Sequence, residues 1–372
     1  MSKTSIPTPV KMMLWGKAAG RCQYDGCNEL LNLDLITKTS MNASYIAHIY
    51  ADQPLGPRYH PVHSPDLVQD LSNLMLLCDR HHRLIDREAK ASHPAERLQE
   101  MKRIHETRIE LLTALRPEKQ SHVILFGANI GSHGAPLTAM SAGQAILPVR
   151  YPANIIELGL KNSLFEDHTP EYWQFHHSHL EQIFNQQVRP LIGQHEVQHF
   201  SVFGLAPMPM LIKLGALLSD ICEADIYQRH REPATWDWQE DALTNEFELR
   251  RPAATAGIPV LKLSCSANIT DDRISAVLTD EHSIWEITHA TPGNDFLRSR
   301  KQLKNFRVLM RKTFDEIKAV HGTGSPLHIF PAMPVSAALE LGRVWMPKAD
   351  LALKIYDQQN KHRAFTPALL LN

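Results

Sequence analysis

The 372-residue chain lacks any apolar run near the roughly 20 residues that a membrane-spanning helix requires. Its start, MSKTSIPTPVKMMLWGKAAG, lacks the long apolar core of a secretory signal, so a cytoplasmic location without membrane attachment is expected. Cysteine is scarce: there are five, and Cys22, Cys27 and Cys78 all fall near the N-terminus. That scarcity excludes a disulfide-stapled scaffold, and clustered cysteine beside histidine in a reducing compartment points to metal. Net charge is also lacking, since 39 Lys and Arg against 40 Asp and Glu leave −1. No global basic field draws the chain to nucleic acid, although a local basic surface is compatible with this balance.

What is present suits a soluble α/β protein with buried cores, at 43% hydrophobic and 21% charged residues. The length fits two domains better than one. A division falls in RPEKQS, giving expected domains 1–116 and 122–372 with 117–121 as linker. Before it, Leu98, Met101, Ile104, Ile109 and Leu112 follow near-helical spacing after Pro94. After it, HVILFGANIG reads as a buried strand entering a loop.

The longer segment contains a degenerate internal repeat. SVFGLAP, ending at Pro207, precedes MPMLIKLG, ending at Gly215; HIFPAMP, ending at Pro334, precedes VSAALELG, ending at Gly342. Each is followed by a strand holding Ile-Tyr, at Tyr227 and at Tyr356. A weaker echo aligns Leu125–Asn129 with Leu263–Asn268. Each half therefore reads as parallel α/β units, and two facing halves form a crevice at the carboxyl ends of their strands, where such folds bind ligands.

Four potential zinc ligands stand out: Cys22-x4-Cys27, and then Cys78-x2-His81. Two paired clusters joined by a long insertion can close a tetrahedral structural site. Inside the insertion lies SYIAHI with His48, and before its end LSNLMLLCDRHHRLID with Asn73, His82 and Asp86. The order His, Asn, His beside a metal-binding pair resembles the HNH nucleases of the ββα-metal class, over about Arg21 to Arg87. The resemblance implies that His48 is the general base, a role that neutral imidazole suits. It implies further that Asn73 fixes the base loop and that His82 holds a divalent ion, Mg²⁺ being the expected one. Asp86, four residues on, reads equally as a second ligand and as an exposed helix carboxylate.

Two departures stand against the family pattern. Ala47 occupies a position where an acidic residue or His commonly binds the metal, and His81 replaces the usual second Cys of the zinc pair. The roles of His81 and His82 can also be exchanged, although the spacing favours the assignment given. Arg58, Arg80, Arg83 and Arg87 are candidate phosphate contacts, and double-stranded DNA is the substrate the resemblance implies.

The stretches FGLAPMPMLIKLGALLSD, ADIYQRHREPATWDWQ and IFPAMPVSAALELG resemble the SAVED domain, and the whole chain resembles an HNH–SAVED effector of CBASS anti-phage defence. The implied fold is a small zinc-stabilised ββα-metal domain followed by an α/β SAVED domain of two CARF-like, Rossmann-like halves. The implied ligand is a cyclic dinucleotide from a partner cyclase, acting on a homo-oligomer of two to four chains. Gln228, Arg229 and Arg231 supply polar and cationic groups for phosphates and bases. Trp236 and Trp238 read equally as stacking platforms and as core. Pro207 with Met208, and Pro334 with Ser336, precede helices whose N-terminal amides favour phosphate; as rigid turns they have a simpler reading. Gln358 and Asn360 occupy the corresponding place in the second half, and Thr291–Asn294 is a further loop candidate. Leu309, Phe314 and Ile317 read as core.

The resulting expectation is a cyclic-dinucleotide-activated DNA endonuclease. A constitutive restriction-type HNH enzyme with a DNA-reading C-terminal domain stays open. So does a non-enzymatic regulator, because of Ala47.

Overall fold

The computed structural model describes residues 4–34, 36–129, 137–159, 169–193, 197–239, 247–293, 295–358 and 364–372. Two of the sequence candidates, Asn294 and Asn360, lie outside the described residues. The chain divides into two units, Met1–Leu115 and Arg116–Asn372. The stretch 117–121, read as a linker, is a tight helical turn at Pro117–Lys119 running into the first strand of the second unit.

In the first unit the elements run α1 (Thr8–Ala18), β1 (Ser44–His48), a short α2 (His63–Asp66), β2 (Leu74–Cys78), α3 (Asp79–Arg83) and α4 (Ala95–Thr113). A widened π-helical turn, Leu84–Glu88, extends α3. β1 and β2 pair antiparallel, with Ser44 opposite Cys78 and His48 opposite Leu74. A two-stranded ribbon is marginal alone, and here LMLLC of β2 is buried throughout among Leu14, Ala18, Ile85, Leu98 and Met101. The buried face of α4 differs from the expected one. Ile104 and Leu112 are 50% and 55% exposed, while the inward stripe is Ala95, Leu98, Met101, Lys102 and His105. Polar residues are tolerated on that stripe because they find partners: His105 Nε2 donates to the Ala18 carbonyl at 3.0 Å, and Lys102 pairs with Glu106.

The second unit continues with β3 (Gln120–Gly127), α5 (Ala139–Ile146), β4 (Tyr151–Glu157), α6 (Pro170–Gln187), β5 (His199–Leu205), α7 (Met208–Leu218) and β6 (Glu223–Tyr227). There follow β7 (Phe247–Arg250), β8 (Ile258–Ser264), α8 (Asp271–Ser275), β9 (His282–His289), α9 (Arg300–His321), β10 (Leu327–Ala332), α10 (Val335–Val344), β11 (Leu353–Gln358) and β12 (Phe365–Leu371). One sheet has the order β4-β3-β5-β6, all parallel. The other contains β9-β8-β10-β11, also parallel, with β7 and β12 added antiparallel at its two edges. The second four-strand order reproduces the first, so the repeat in the sequence is a repeat in topology.

The weaker echo is slipped by one residue. Leu125 pairs with Phe203, whose repeat counterpart Phe330 pairs with Lys262. Lys262, rather than Leu263, therefore stands in the place of Leu125. A one-residue slip exchanges the faces of a strand, and Lys262 is held on its face by Asp271 and Glu286 at 2.6 and 3.2 Å.

The two halves meet through α7 and α10. A Cβ added at Gly215 would strike the Leu339 carbonyl oxygen, and one at Gly342 would strike that of Ile212. These two contacts are exchanged by the same repeat offset, so the crossing is the pseudo-twofold axis. The shared glycine of each repeat is thus the residue that lets the backbones touch. Gly342→Ala should destabilise the protein by about 1–3 kcal/mol in urea unfolding. Gly143→Ala in α5, whose added carbon would meet only Pro152 at 3.7 Å, should be neutral or slightly stabilising. Equal stability of Gly342→Ala and wild type would exclude the close crossing.

Candidate functional site

The zinc candidates converge. Cys22 and Cys27 flank a tight turn in which the Cys27 amide donates to the Tyr24 carbonyl and Gly26 adopts φ +73°. Gln23 holds this turn against β2: its amide donates to the Leu76 carbonyl at 2.9 Å, and its side-chain oxygen accepts from the Leu76 amide at 2.8 Å. Cys78 ends β2, and His81 follows in the first turn of α3. The ligand atoms of Cys22, Cys27, Cys78 and His81 all lie within 4.8 Å of one another. His81 Nδ1 is 3.2 Å from Cys78 Sγ and 3.6 Å from Cys22 Sγ. Tetrahedral zinc with bonds of about 2.0–2.3 Å sets its ligands about 3.5 Å apart, so the donor set is compatible with zinc.

Electrostatics agree with that fit. Burial pushes the thiols of Cys22 and Cys78 upward, so the thiolates need a cation to form. Burial, with the charge of Arg80, lowers His81 and keeps it in the neutral form a metal takes. Tyr24 stacks flat on His81 at 4.1 Å, and its hydroxyl lies 3.0 Å from His93 Nε2, whose other nitrogen reaches the Ala89 carbonyl.

The His-Asn-His candidates lie in the same unit. His48 closes β1 and is 8% exposed. Its Nε2 is 2.9 Å from the Val68 carbonyl oxygen, a contact that only a protonated Nε2 can make. That bond leaves Nδ1 as the basic nitrogen. Asn73 is buried and clamps the segment that follows His48. Its side-chain oxygen accepts from the Tyr50 amide at 2.7 Å, and its nitrogen donates to the carbonyls of Tyr50 and Leu67 at 3.0 and 3.2 Å.

His82 stacks on Tyr45 at 4.7 Å, with its Nε2 3.3 Å from Asp86 Oδ2. Burial opposes the charge on Asp86, but hydrogen bonds from His82 and Arg58 outweigh it and hold the carboxyl below the ordinary carboxylate range. Adjacent imidazole and ionised carboxylate are a suitable donor pair for a divalent ion. Ala47, buried beside His48, adds no ligand.

Arg58, expected among the phosphate contacts, faces inward. It donates to the carbonyls of Ile49 and Ile85 and to Asp86, and its side chain is 8% exposed. No spacing in the sequence marks it for this. Arg83 pairs with Asp79, while Arg80 and Arg87 are exposed.

In the second unit the ligand candidates separate by burial. Gln228 and Ser336 meet, Gln228 accepting from the Ser336 amide at 3.2 Å and its hydroxyl at 2.7 Å, both residues being buried. The α10 amide expected to face a phosphate is therefore filled by the protein itself. At the start of α7, Pro209 has no N–H and the Met210 amide donates to the Pro207 carbonyl, so that terminus too is a poor anion site. Pro207 and Pro334 are buried. Trp236 is core: it is 2% exposed, edge-on to Phe203 at 5.1 Å, with the Arg229 guanidinium 5.7 Å from its ring. Trp238 is half-buried, as are Arg229 and Met208, while Arg231 and Gln358 are exposed. Phe314 and Ile317 lie in the core, with Leu309 packed against it.

The stretch that the sequence marked by Trp236 and Trp238, together with Gln239 and His289, which it passed over, holds buried polar atoms that lack hydrogen-bond partners among the described residues. Besides atoms elsewhere in the unit, such as His122 Nδ1 and Glu340 Oε2, these include both ring nitrogens of His230, the indole nitrogens of Trp236 and Trp238, Gln239 Nε2 and His289 Nε2. Asp295 approaches His230 Nδ1 only to 3.6 Å. Most of these atoms sit in the segment after β6, with His289 at the end of β9. Unfilled polar atoms of this kind are costly unless water or a ligand supplies partners.

Among solved structures the chain is similar to a Cap4 SAVED/CARF-domain containing receptor from Acinetobacter baumannii with the cyclic trinucleotide 2'3'3'-cAAA. Identity is 12%, the TM-score is 0.45, and the match covers 75% of this chain and 55% of that one. It is similar also to the Cap4 SAVED/CARF-domain containing receptor from Moraxella osloensis, at 12% identity and a TM-score of 0.43, covering 75% of this chain and 59% of that one. The chain thus spans little more than half the length of these receptors. No curated protein sequence matches it. The family model of the SMODS-associated and fused to various effectors sensor domain matches residues 180–371, beginning within α6. That is over half of the 372 residues, and the chain belongs to the SAVED family.

Proposed function

We propose that the chain is a metal-dependent HNH endonuclease gated by its SAVED unit, cutting double-stranded DNA when a cyclic dinucleotide from a partner cyclase binds, as an effector of CBASS anti-phage defence. The observation that carries the nuclease half is the state of His48, with Nε2 spent on Val68 and Nδ1 left basic, its segment clamped by Asn73 and linked through Arg58 to the His82–Asp86 pair. His48 Nδ1 takes a proton from water as the water oxygen bonds to phosphorus and the phosphorus–O3′ bond breaks, and the departing O3′ takes up a proton from solvent. His82 and Asp86 would hold a divalent ion such as Mg²⁺, which would supply Lewis acidity at the phosphate. Asn73 keeps the base segment in place, and Cys22, Cys27, Cys78 and His81 would hold a zinc ion that ties the turn, β2 and α3 together.

For the sensing half, the support is the family membership, the two-half topology and the unfilled donors after β6. Purines and phosphates present acceptors that match those donors. Arg229, Arg231, Met208 and Gln358 keep exposed surface and are the proposed contacts, while Gln228, Trp236, Pro207, Pro334 and Ser336 are buried. Binding can activate only if the ligand favours the active arrangement of a homo-oligomer over the resting one.

His48→Ala should lower Mg²⁺-dependent plasmid cleavage by on the order of 10²–10⁴-fold, with zinc content and melting temperature unchanged. Retention of full activity would remove His48 from the mechanism. The purified protein should contain stoichiometric zinc by metal analysis, and Cys78→Ser should lose it together with the first unit's cooperative melting. A Cys78→Ser protein that melts like wild type would exclude a structural metal.

A further inference from the structure

The guanidinium of Arg58 lies between the two segments that carry the nuclease candidates. Its Nε donates to the Ile49 carbonyl at 2.8 Å, and Nη1 donates to the Ile85 carbonyl at 2.8 Å. Nη2 donates to Asp86 Oδ1 at 2.7 Å and lies 3.4 Å from the His48 carbonyl oxygen. An arginine that binds a phosphate keeps donors free toward solvent, whereas this one has all three nitrogens committed to the protein. Its backbone is also left-handed, at φ +61°, which a non-glycine residue adopts only where the surroundings hold it.

We propose that Arg58 is a positioning residue of the metal-and-base site. On one side it holds the carbonyls of His48 and Ile49, at the strand end bearing the base. On the other it holds Ile85 and Asp86, in the turn that follows His82. It thereby fixes the separation of the two segments. By occupying Asp86 Oδ1 it also leaves Oδ2 facing His82 Nε2, the orientation that a shared divalent ion needs. Carboxylates that bind metals are commonly oriented by such outer partners, and their loss weakens the site. Lysine keeps the charge but not the planar fork, so it cannot serve these acceptors together. The role in catalysis rests on the nuclease reading above; the role in orienting Asp86 does not.

Full-length Arg58→Lys and Arg58→Met can be compared with wild type for Mn²⁺ binding by electron paramagnetic resonance, for zinc content, and for kcat and KM on plasmid DNA. Mn²⁺ binding should weaken by about 10–100-fold and kcat should fall similarly, with KM within about threefold and zinc retained. Should Arg58→Met not fold, Arg58→Lys carries the test. Unchanged Mn²⁺ binding and kcat would overturn the proposal. So would a raised KM with intact kcat and a shallower salt dependence, which is the behaviour of a phosphate contact. A wild type that binds no Mn²⁺ would overturn it as well. Mn²⁺ binding that weakens on substitution, in a wild type that cuts no DNA, would sustain the positioning role and remove the nuclease reading.

Discussion

Two helices can bring their backbones into contact only where neither interposes a side chain, and the second unit is built on such a contact. Gly215 of α7 meets the backbone at Leu339, and Gly342 of α10 meets it at Ile212. Because the two contacts are related by the repeat, the crossing places equivalent strands of the two sheets about one pseudo-twofold axis. Other features follow from that closeness. Ser336 at the start of α10 reaches Gln228 at the end of β6, and Arg343 near its end reaches the carbonyls of Ser219, Cys222 and Ala224. A cation of the second half thus binds the turn that enters the first half's edge strand and one carbonyl, that of Ala224, within it.

The first unit depends on a different constraint. Its sheet has two strands among the described residues, too few to hold a core alone; helices pack on β2, and three thiols and an imidazole, one thiol half-buried and the rest buried, gather beside it. Burial raises the thiols of Cys22 and Cys78 and lowers His81, which makes the set compatible with a bound metal. Cys78 ends β2 and His81 lies in the first turn of α3, so the set joins strand to helix just before His82 and Asp86.

The sequence was most readable where residue type and function coincide. Cys22, Cys27, Cys78 and His81 could be grouped by spacing alone, and the doubled Pro–Leu–Gly pattern foretold equal topologies because glycine at a helix crossing has no substitute. The weak echo misled by one residue because a buried lysine in β8 interrupts the apolar pattern, its charge answered by Asp271 and Glu286, which no local window reveals. Helix α4 was placed well but turned on its axis, since the partners of His105 and Lys102 decide its inner face. Arg58 read as a surface cation because its acceptors are backbone carbonyls, which leave no trace in sequence. The helix amides offered to a phosphate were likewise already filled by Gln228 or lost to Pro209.

Gating joins these two halves of the account, and it can be measured directly. Supercoiled plasmid would be incubated with the full chain and Mg²⁺, with no nucleotide and with each of a panel of cyclic dinucleotides. The account predicts cleavage with a particular nucleotide and background alone without it. Equal cleavage in the absence of any nucleotide would contradict it.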